Sequence, residues 1–552
     1  MKRPQSMIRA SYPLTLSLLL TGCMNITVVE SDTSDTQSTS RSAVATVGTS
    51  PIPDYQRESP WYTDAQSRVA SAPAKERGQA KNVVLFLGDG MGISTITAAR
   101  ILQGQKAGNP GEENRLSFEN FPVTGLVKTY NVDSQTPDSA GTMSAIMTGV
   151  KTKIGVFGVD ERVIQEDCQS SQGIELLSLL EIAELAGKAT GVVSTARMTH
   201  ATPAATYAKT AARDWEDDGE LPEDAKTQGC KDIAAQFLAS REGLNAQFGA
   251  ALSDGIEVAL GGGRQHFLPA SEDGGRRTDG RNLIKEWQTA HPEGRYVGNK
   301  SELKNARQAP LLGLFSNSHM AYALERDVPG AEQPTLPEMT LKALELLQAD
   351  GEGFLLVVEA GRIDHAHHAG NAANALEDTI ELSEAVAAVM RNTNADDTLV
   401  MVTADHSHVF TMAGYPRRGN PILGKVVPAW SEEPALDVDG QPYTTLGYMN
   451  GRGYRDHGDQ LNADSTYAEA PAAGRRDISD VDTTRPGYHQ EALVPLNAET
   501  HGGEDVAVYA KGPGAEGAMG AIEQNQLFHV MLQATTWEAE AAERIESLKD
   551  LR

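Results

Sequence analysis

Six apolar runs of strand length, continuous rather than alternating, constrain the fold of this 552-residue chain more than any other feature. They are Val83–Leu87, Gly191–Thr195, Ile256–Leu260, Phe354–Val358, Thr398–Thr403 and Val506–Ala510. A run without polar alternation belongs to a strand covered on both faces. Helix-like stretches lie between the runs, among them Ile174–Ala186, Leu336–Ala349 and Ala372–Arg391. Strands alternating with helices on this scale predict an α/β fold with a large, mostly parallel central sheet flanked by helices. Residues 411–495 break the pattern. They are rich in Gly, Pro, Tyr, Asp and Arg with little periodicity, and predict an inserted, loop-rich subdomain. The expected main body is therefore 60–410, completed by 496–552 and a charged amphipathic helix at the C-terminus.

The N-terminus is not expected to belong to the fold. Lys2, Arg3 and Arg9 precede an apolar run from Tyr12 to Leu20, too short to span a bilayer, so residues 1–22 read as a signal peptide. Leu20-Thr21-Gly22-Cys23 resembles a bacterial lipoprotein cleavage box, after which Cys23 would carry lipid; a plain secretory signal is the alternative. Residues 23–59 are rich in Ser, Thr and small residues and are expected to form a disordered tether. Export to the periplasm or cell surface puts the chain in an oxidising compartment. There Cys168 and Cys230 read as one disulfide, with two free buried thiols as the alternative.

The formal charge is −27, and loss of the three basic leader residues would take it to −30. Such a surface repels nucleic acid and anionic headgroups, so no nucleic-acid partner is expected, and the membrane is reached only through the lipid. An anionic ligand here would need a strong local positive field, which metal ions supply.

Chemistry-bearing residues gather at the strand ends. Val83–Leu87 runs into Gly88-Asp89-Gly90, Phe354–Val358 into Glu359 and then Asp364 and His368, and Thr398–Thr403 into Asp405-His406. His501 precedes another run. Ligands of open α/β sheets bind beyond the carboxyl ends of the strands, so these residues are expected at one edge. Asp364 and His368, four apart, share a face if the segment is helical. Mixed Asp/His ligation suits zinc and all-oxygen ligation suits magnesium. Any one such Asp is more often a helix cap than a ligand; the joint pattern is what points to a metal site. Ser139, in Asp138-Ser139-Ala140-Gly141, is the candidate nucleophile at a helix start, where the helix dipole favours its alkoxide. Alone, the same residues read more readily as an N-cap.

Taken in order, Gly88-Asp89-Gly90-Met91-Gly92, Asp138-Ser139-Ala140, His200-Ala201-Thr202-Pro203-Ala204, Glu359-Ala360-Gly361-Arg362-Ile363-Asp364-His365, Thr403-Ala404-Asp405-His406 and Thr500-His501-Gly502-Gly503-Glu504 resemble the alkaline phosphatase family, in its animal-type branch. The resemblance covers nearly all of Trp61 to Leu532. It implies a homodimeric hydrolase of phosphate monoesters with two zinc ions and one magnesium ion, acting through a phosphoserine. Asp364, His368 and His501 match one zinc set. Asp89, Asp405 and His406 match the other, and Asp89, Thr202 and Glu359 match the magnesium set. Arg213 matches the phosphate clamp, His365 a phosphate contact, and His200 a group acting on magnesium through water. Cys168 and Cys230 match a disulfide of the branch, and 411–495 matches the crown subdomain. Animal members carry a further calcium site whose acidic ligands are Ser316 and Gln333 here, so that site is expected to be absent or weak. A phosphodiesterase or sulfatase of the same superfamily is the nearest alternative; Asp138-Ser139-Ala140 with Arg213 favours monoesters.

Overall fold

The computed structural model describes residues 50–71, 78–249 and 251–549. The signal segment and Cys23 lie outside them. Among the described residues no helix is long and apolar enough to cross a membrane.

A ten-stranded sheet organises the molecule. Its first eight strands in chain order are β1 (Asn82–Gly88), β2 (Val123–Lys128), β3 (Ala189–Arg197), β4 (Val258–Gly262), β5 (Arg295–Val297), β6 (Leu311–Leu314), β7 (Phe354–Ala360) and β8 (Thr398–Ala404), followed by Val506–Lys511 and Gly520–Glu523. Strands β8, β1, β7, β3, β4, β6 and β5 lie side by side in that order and are all parallel. Val506–Lys511 runs antiparallel between β8 and β2. Every residue of β7 and β8 is buried, as continuous apolar runs require of strands covered on both faces. Strand β2 escapes that signature because its burial alternates along the chain, as does that of a one-sided strand.

Register delivers the chemistry to one edge. Gly88 of β1 sits opposite Ala360 of β7 and Ala404 of β8, and Leu87 sits opposite Glu359. Ser194 of β3 is in turn opposite Glu359. Asp89, Glu359 and Asp405 therefore leave three adjacent strands at nearly the same level. Because Val506–Lys511 runs the other way, the chain just before it, with His501, returns to this edge.

Helices form where expected at Leu336–Gln348 and Ala372–Asn392. The stretch 174–186 differs. Its helix is Leu179–Leu185, because Ser178 caps it and makes a reciprocal box with Glu181, while Glu175 bridges to Val159. The N-terminal boundary also differs. Residues 50–59 pack on the folded body rather than forming part of a tether: Ile52 and Gln56 are buried, and the Gln56 amide donates to Thr148 O and Leu177 O at 2.9 Å each. A buried amide satisfied by the body belongs to the body. Within 411–495 the strand pairings are short, and one 3-10 helix forms at Ala463–Ala468. The strand Leu446–Gly451 lies between Phe410–Met412 and Ala492–Pro495, and Arg455–Asp456 pairs with Tyr488–His489.

Candidate active site

Asp138 caps the helix Ser139–Thr148 by accepting from Gly141 N, which sets Ser139 at its first turn. Ser139 is buried, with Oγ 3.1 Å from His406 Nε2 and 3.4 Å from Asp89 Oδ1. His406 Nε2 is 3.5 Å from Asp89 Oδ1 and 3.4 Å from Asp405 Oδ2. Gly90 makes the turn after Asp89 with φ +66°, and its N–H donates to Asp405 Oδ1 at 3.0 Å. A Cβ at Gly90 would stand 2.2 Å from His408 Nε2, so the turn admits only glycine.

The second group is built on the helix Arg362–His368, which puts Asp364 and His368 on one face. Asp364 Oδ1 lies 3.3 Å from His368 Nε2, 3.3 Å from His501 Nε2 and 2.8 Å from His408 Nε2. Proton placement separates these three histidines. His368 Nδ1 donates to Glu499 O at 2.6 Å and His501 Nδ1 donates to Pro137 O at 2.7 Å. With Nδ1 as the donor, the neutral form of each ring presents its Nε2 lone pair, and the two nitrogens are 3.1 Å apart beside a carboxylate. A shared cation reconciles that arrangement. His408 spends both nitrogens on carboxylates, Nε2 on Asp364 and Nδ1 on Glu499 Oε2 at 2.6 Å. Burial opposes its charge, but Glu499 first and then Asp364 hold its pKa up to about 10. His408 thus orients Asp364 as a cation and has no lone pair to offer.

The third group lies between β3 and β7. Glu359 accepts from Ser194 Oγ, and Thr202 is on the short helix Ala201–Ala204. Asp89 Oδ2, Thr202 Oγ1, Glu359 Oε1 and Asp405 Oδ2 are all buried without a well-formed hydrogen bond. Native proteins rarely leave such atoms unmatched. Oxygen donors in this number suit a hard cation, and Asp89, Asp405 and His406 together suit a softer one. Burial, then the Asp405 and Asp364 charges, pushes Asp89 well above the ordinary carboxyl range. Burial lifts Asp405 and raises Glu359 to about 7. Burial also pushes the Asp364 carboxyl up, but His368, His408 and His501 outweigh it and hold the group well below that range.

Arg213 reaches the same edge. Nη1 pairs with Asp138 Oδ2 at 3.1 Å and Nη2 donates to His200 Nε2 at 3.1 Å. His200 and His365 lie with rings 5.5 Å apart. Against both packs His319, from the loop after β6, at 5.1 Å from His200 and 3.9 Å from His365. The structure thus gathers Asp89, Ser139, His200, Thr202, Arg213, Glu359, Asp364, His365, His368, Asp405, His406 and His501. His319 and His408 are not among the residues singled out from sequence. The spacing of Asp405, His406 and His408, with Glu499, could have flagged His408. Nothing local marks His319, in Asn317-Ser318-His319. Cys168 and Cys230 are disulfide-bonded. Ser316 Oγ donates to Ser318 O, and Gln333 Oε1 accepts from Ala321 N, so both side chains are engaged in loop hydrogen bonds.

A mostly parallel α/β sheet whose carboxyl edge holds a buried serine, an arginine and clustered carboxylates and imidazoles defines a metal-assisted hydrolase. The chain matches the family model described as Alkaline phosphatase over residues 80–537. It is 43% identical over 503 residues to the tissue-nonspecific alkaline phosphatase of Gallus gallus, covering 88% of this chain and 90% of that protein. It is 41% identical over 489 residues to the alkaline phosphatase of Gadus morhua, covering 86% and 95%. Among solved structures, the alkaline phosphatase of Thermus thermophilus superposes with a TM-score of 0.59 at 23% identity, covering 90% of this chain and 99% of that one. The alkaline phosphatase of the Antarctic bacterium TAB5 gives 0.55 at 22%, covering 84% and 99%. The chain belongs to the alkaline phosphatase family.

Proposed function

We propose that this protein hydrolyses phosphate monoesters to an alcohol and inorganic phosphate through a phosphoserine at Ser139, with two zinc ions and one magnesium ion as resident cofactors. One observation carries the assignment of the site: a buried serine at a helix start, 3.1 Å from His406 Nε2, faces carboxylates whose outer oxygens lack a well-formed hydrogen bond. Asp364, His368 and His501 would hold one zinc, Asp89, Asp405 and His406 the other, and Asp89, Thr202 and Glu359 the magnesium. Bound there, the cations lower the pKa of coordinated hydroxyl groups and water and stabilise charge on phosphoryl oxygens.

The chain's own residues do the rest. Arg213, fixed by Asp138, holds two phosphate oxygens with a planar fork. The helix Ser139–Thr148 directs its positive end at Oγ, favouring the alkoxide. Oγ attacks phosphorus in line, the Oγ–P bond forms, and the alcohol leaves with its oxygen and takes up a proton. Water then attacks the phosphoserine, releasing phosphate and restoring Ser139. His200 would act on the magnesium through water, and His365 contacts phosphate through water. Little of this recognises the alcohol, so broad scope is expected.

Outside the catalytic edge, the reading includes export behind a cleaved signal peptide, lipid attachment at Cys23, a homodimer, and 411–495 as an inserted crown-like subdomain. The Cys168–Cys230 disulfide supports an oxidising compartment. The deciding experiment measures metal content together with hydrolysis of nitrophenyl phosphate, its diester and its sulfate, before and after chelation. Monoester turnover lost with the metals and restored by zinc and magnesium is expected. Preferential diester or sulfate turnover would move the protein to another branch of the superfamily.

A further inference from the structure

His319 belongs to none of the three ligand groups above, yet it is the ring against which both phosphate-side imidazoles pack. Its own position is fixed from outside the site. Glu216 grips Arg197 through Nε at 2.8 Å and through Nη2 at 2.6 Å, and Arg197 Nη1 donates to His319 Nε2. Arginine only donates, so His319 accepts at Nε2 and is a neutral ring protonated at Nδ1. Thr199 Oγ1 also donates to Glu216, which holds that carboxylate in place.

The neighbours of His319 have less holding them. His365 Nδ1 and His200 Nδ1, like His319 Nδ1, are buried without a protein partner. His200 is tied at Nε2 by Arg213, and Arg213 is the residue expected to turn toward phosphate. What keeps the two imidazoles aimed beside the clamp is ring packing, and His319 supplies it to both, 3.9 Å from His365 and 5.1 Å from His200. We infer that His319 is a positioning residue for phosphate binding, passing the fixed geometry of the Glu216–Arg197 pair to His365 and His200. The inference rests on reading Arg213 and His365 as the phosphate-facing groups.

The test compares the zinc- and magnesium-loaded enzyme with His319→Ala and His319→Phe. Loss of the ring in His319→Ala should raise KM for nitrophenyl phosphate and the inhibition constant of inorganic phosphate together, by about tenfold, with a much smaller fall in kcat. The phenyl ring of His319→Phe should recover most of that loss, although it cannot accept from Arg197. Melting temperature and metal content, measured on the same samples, separate this from misfolding: a merely structural role would lower the folded fraction and leave KM and the inhibition constant of the remainder unchanged. Phosphate affinity within about twofold of the parent in His319→Ala would overturn the inference. So would one divalent ion fewer per chain in both variants, because the three rings would then be a ligand set. If Arg213→Ala also left phosphate affinity unchanged, the phosphate assignment of the whole pocket would fall, and not His319 alone.

Discussion

His408 Nε2 lies 2.8 Å from Asp364 Oδ1, and its Nδ1 lies 2.6 Å from Glu499 Oε2. A buried cation held between two carboxylates fixes the rotamer of Asp364, the residue on which His368 and His501 converge. Outer partners of this kind typically contribute about 10–100-fold to metal affinity. His408→Ala should therefore weaken zinc binding by about that factor while leaving Ser139 in place. Competition with a chelator of known affinity measures it. Unchanged zinc affinity would show that Asp364 needs no such support.

Ser139→Ala should abolish the phosphoenzyme and cut kcat by at least about a thousandfold, while zinc and magnesium content stays at the parent level. Acid quenching of turnover with labelled substrate reads the first, and elemental analysis the second. Near-normal turnover would remove Ser139 as nucleophile.

Arg213→Ala should raise the inhibition constant of inorganic phosphate by about 10–100-fold, and Arg213→Lys should recover only part, since a point charge cannot reproduce a two-oxygen fork. Inhibition by phosphate at fixed pH distinguishes the three proteins. Equal affinity in all three would sink the clamp.

Chelation should expose a pH dependence of stability. Glu359 is raised by burial to about 7, so in the metal-free protein its charge opposes folding increasingly as pH rises from the ordinary carboxyl range through about 7. His408 is raised to about 10 by Glu499 and Asp364, so its contribution is full below the ordinary histidine range and is lost as pH rises through about 10. Above the ordinary histidine range both signs make the stripped protein less stable as pH rises; below that range the histidines that burial holds neutral, among them His200, His365 and His406, act the other way. In the loaded protein the carboxylates are bound as anions, so the Glu359 part of that slope should vanish. Melting temperatures across this range, with and without chelator, compare the two. A stripped protein that gains stability as pH rises above the ordinary histidine range toward about 8 would contradict the burial of Glu359 and the ion pairing of His408.

Cys168 and Cys230 close a loop with a sequence separation of 62. By chain entropy that crosslink contributes about 4 kcal/mol. The double substitution Cys168→Ser with Cys230→Ser should lower unfolding free energy by roughly 2–4 kcal/mol with little change in kcat. Denaturant unfolding of the loaded enzyme checks it.

Much of the edge is legible in the sequence because its signals are local. Continuous apolar runs mark β1, β7 and β8, and the spacing of Asp364 and His368 marks a ligand pair on one helical face. Strand β2 escapes because its alternating burial leaves no continuous run. The tether reads as far as residue 59 because Ser50–Ser59 has no apolar period, whereas its order comes from Gln56 reaching Thr148 and Leu177. His319 carries no motif at all; its place follows from how the loop after β6 lands on the helix Arg362–His368.

The sequence by itself determined the buried strands, the acids and histidines at their carboxyl ends, and the serine behind an Asp cap, since each depends on burial period or on residues a few positions apart. Tertiary structure alone decided which of those groups meet and where their protons sit. His368 and His501 turn Nε2 toward one point because Glu499 O and Pro137 O, 131 and 364 residues away, accept hydrogen bonds from their Nδ1–H groups. Strand register and packing between remote elements set such contacts, and neither leaves a mark in the local pattern of the chain.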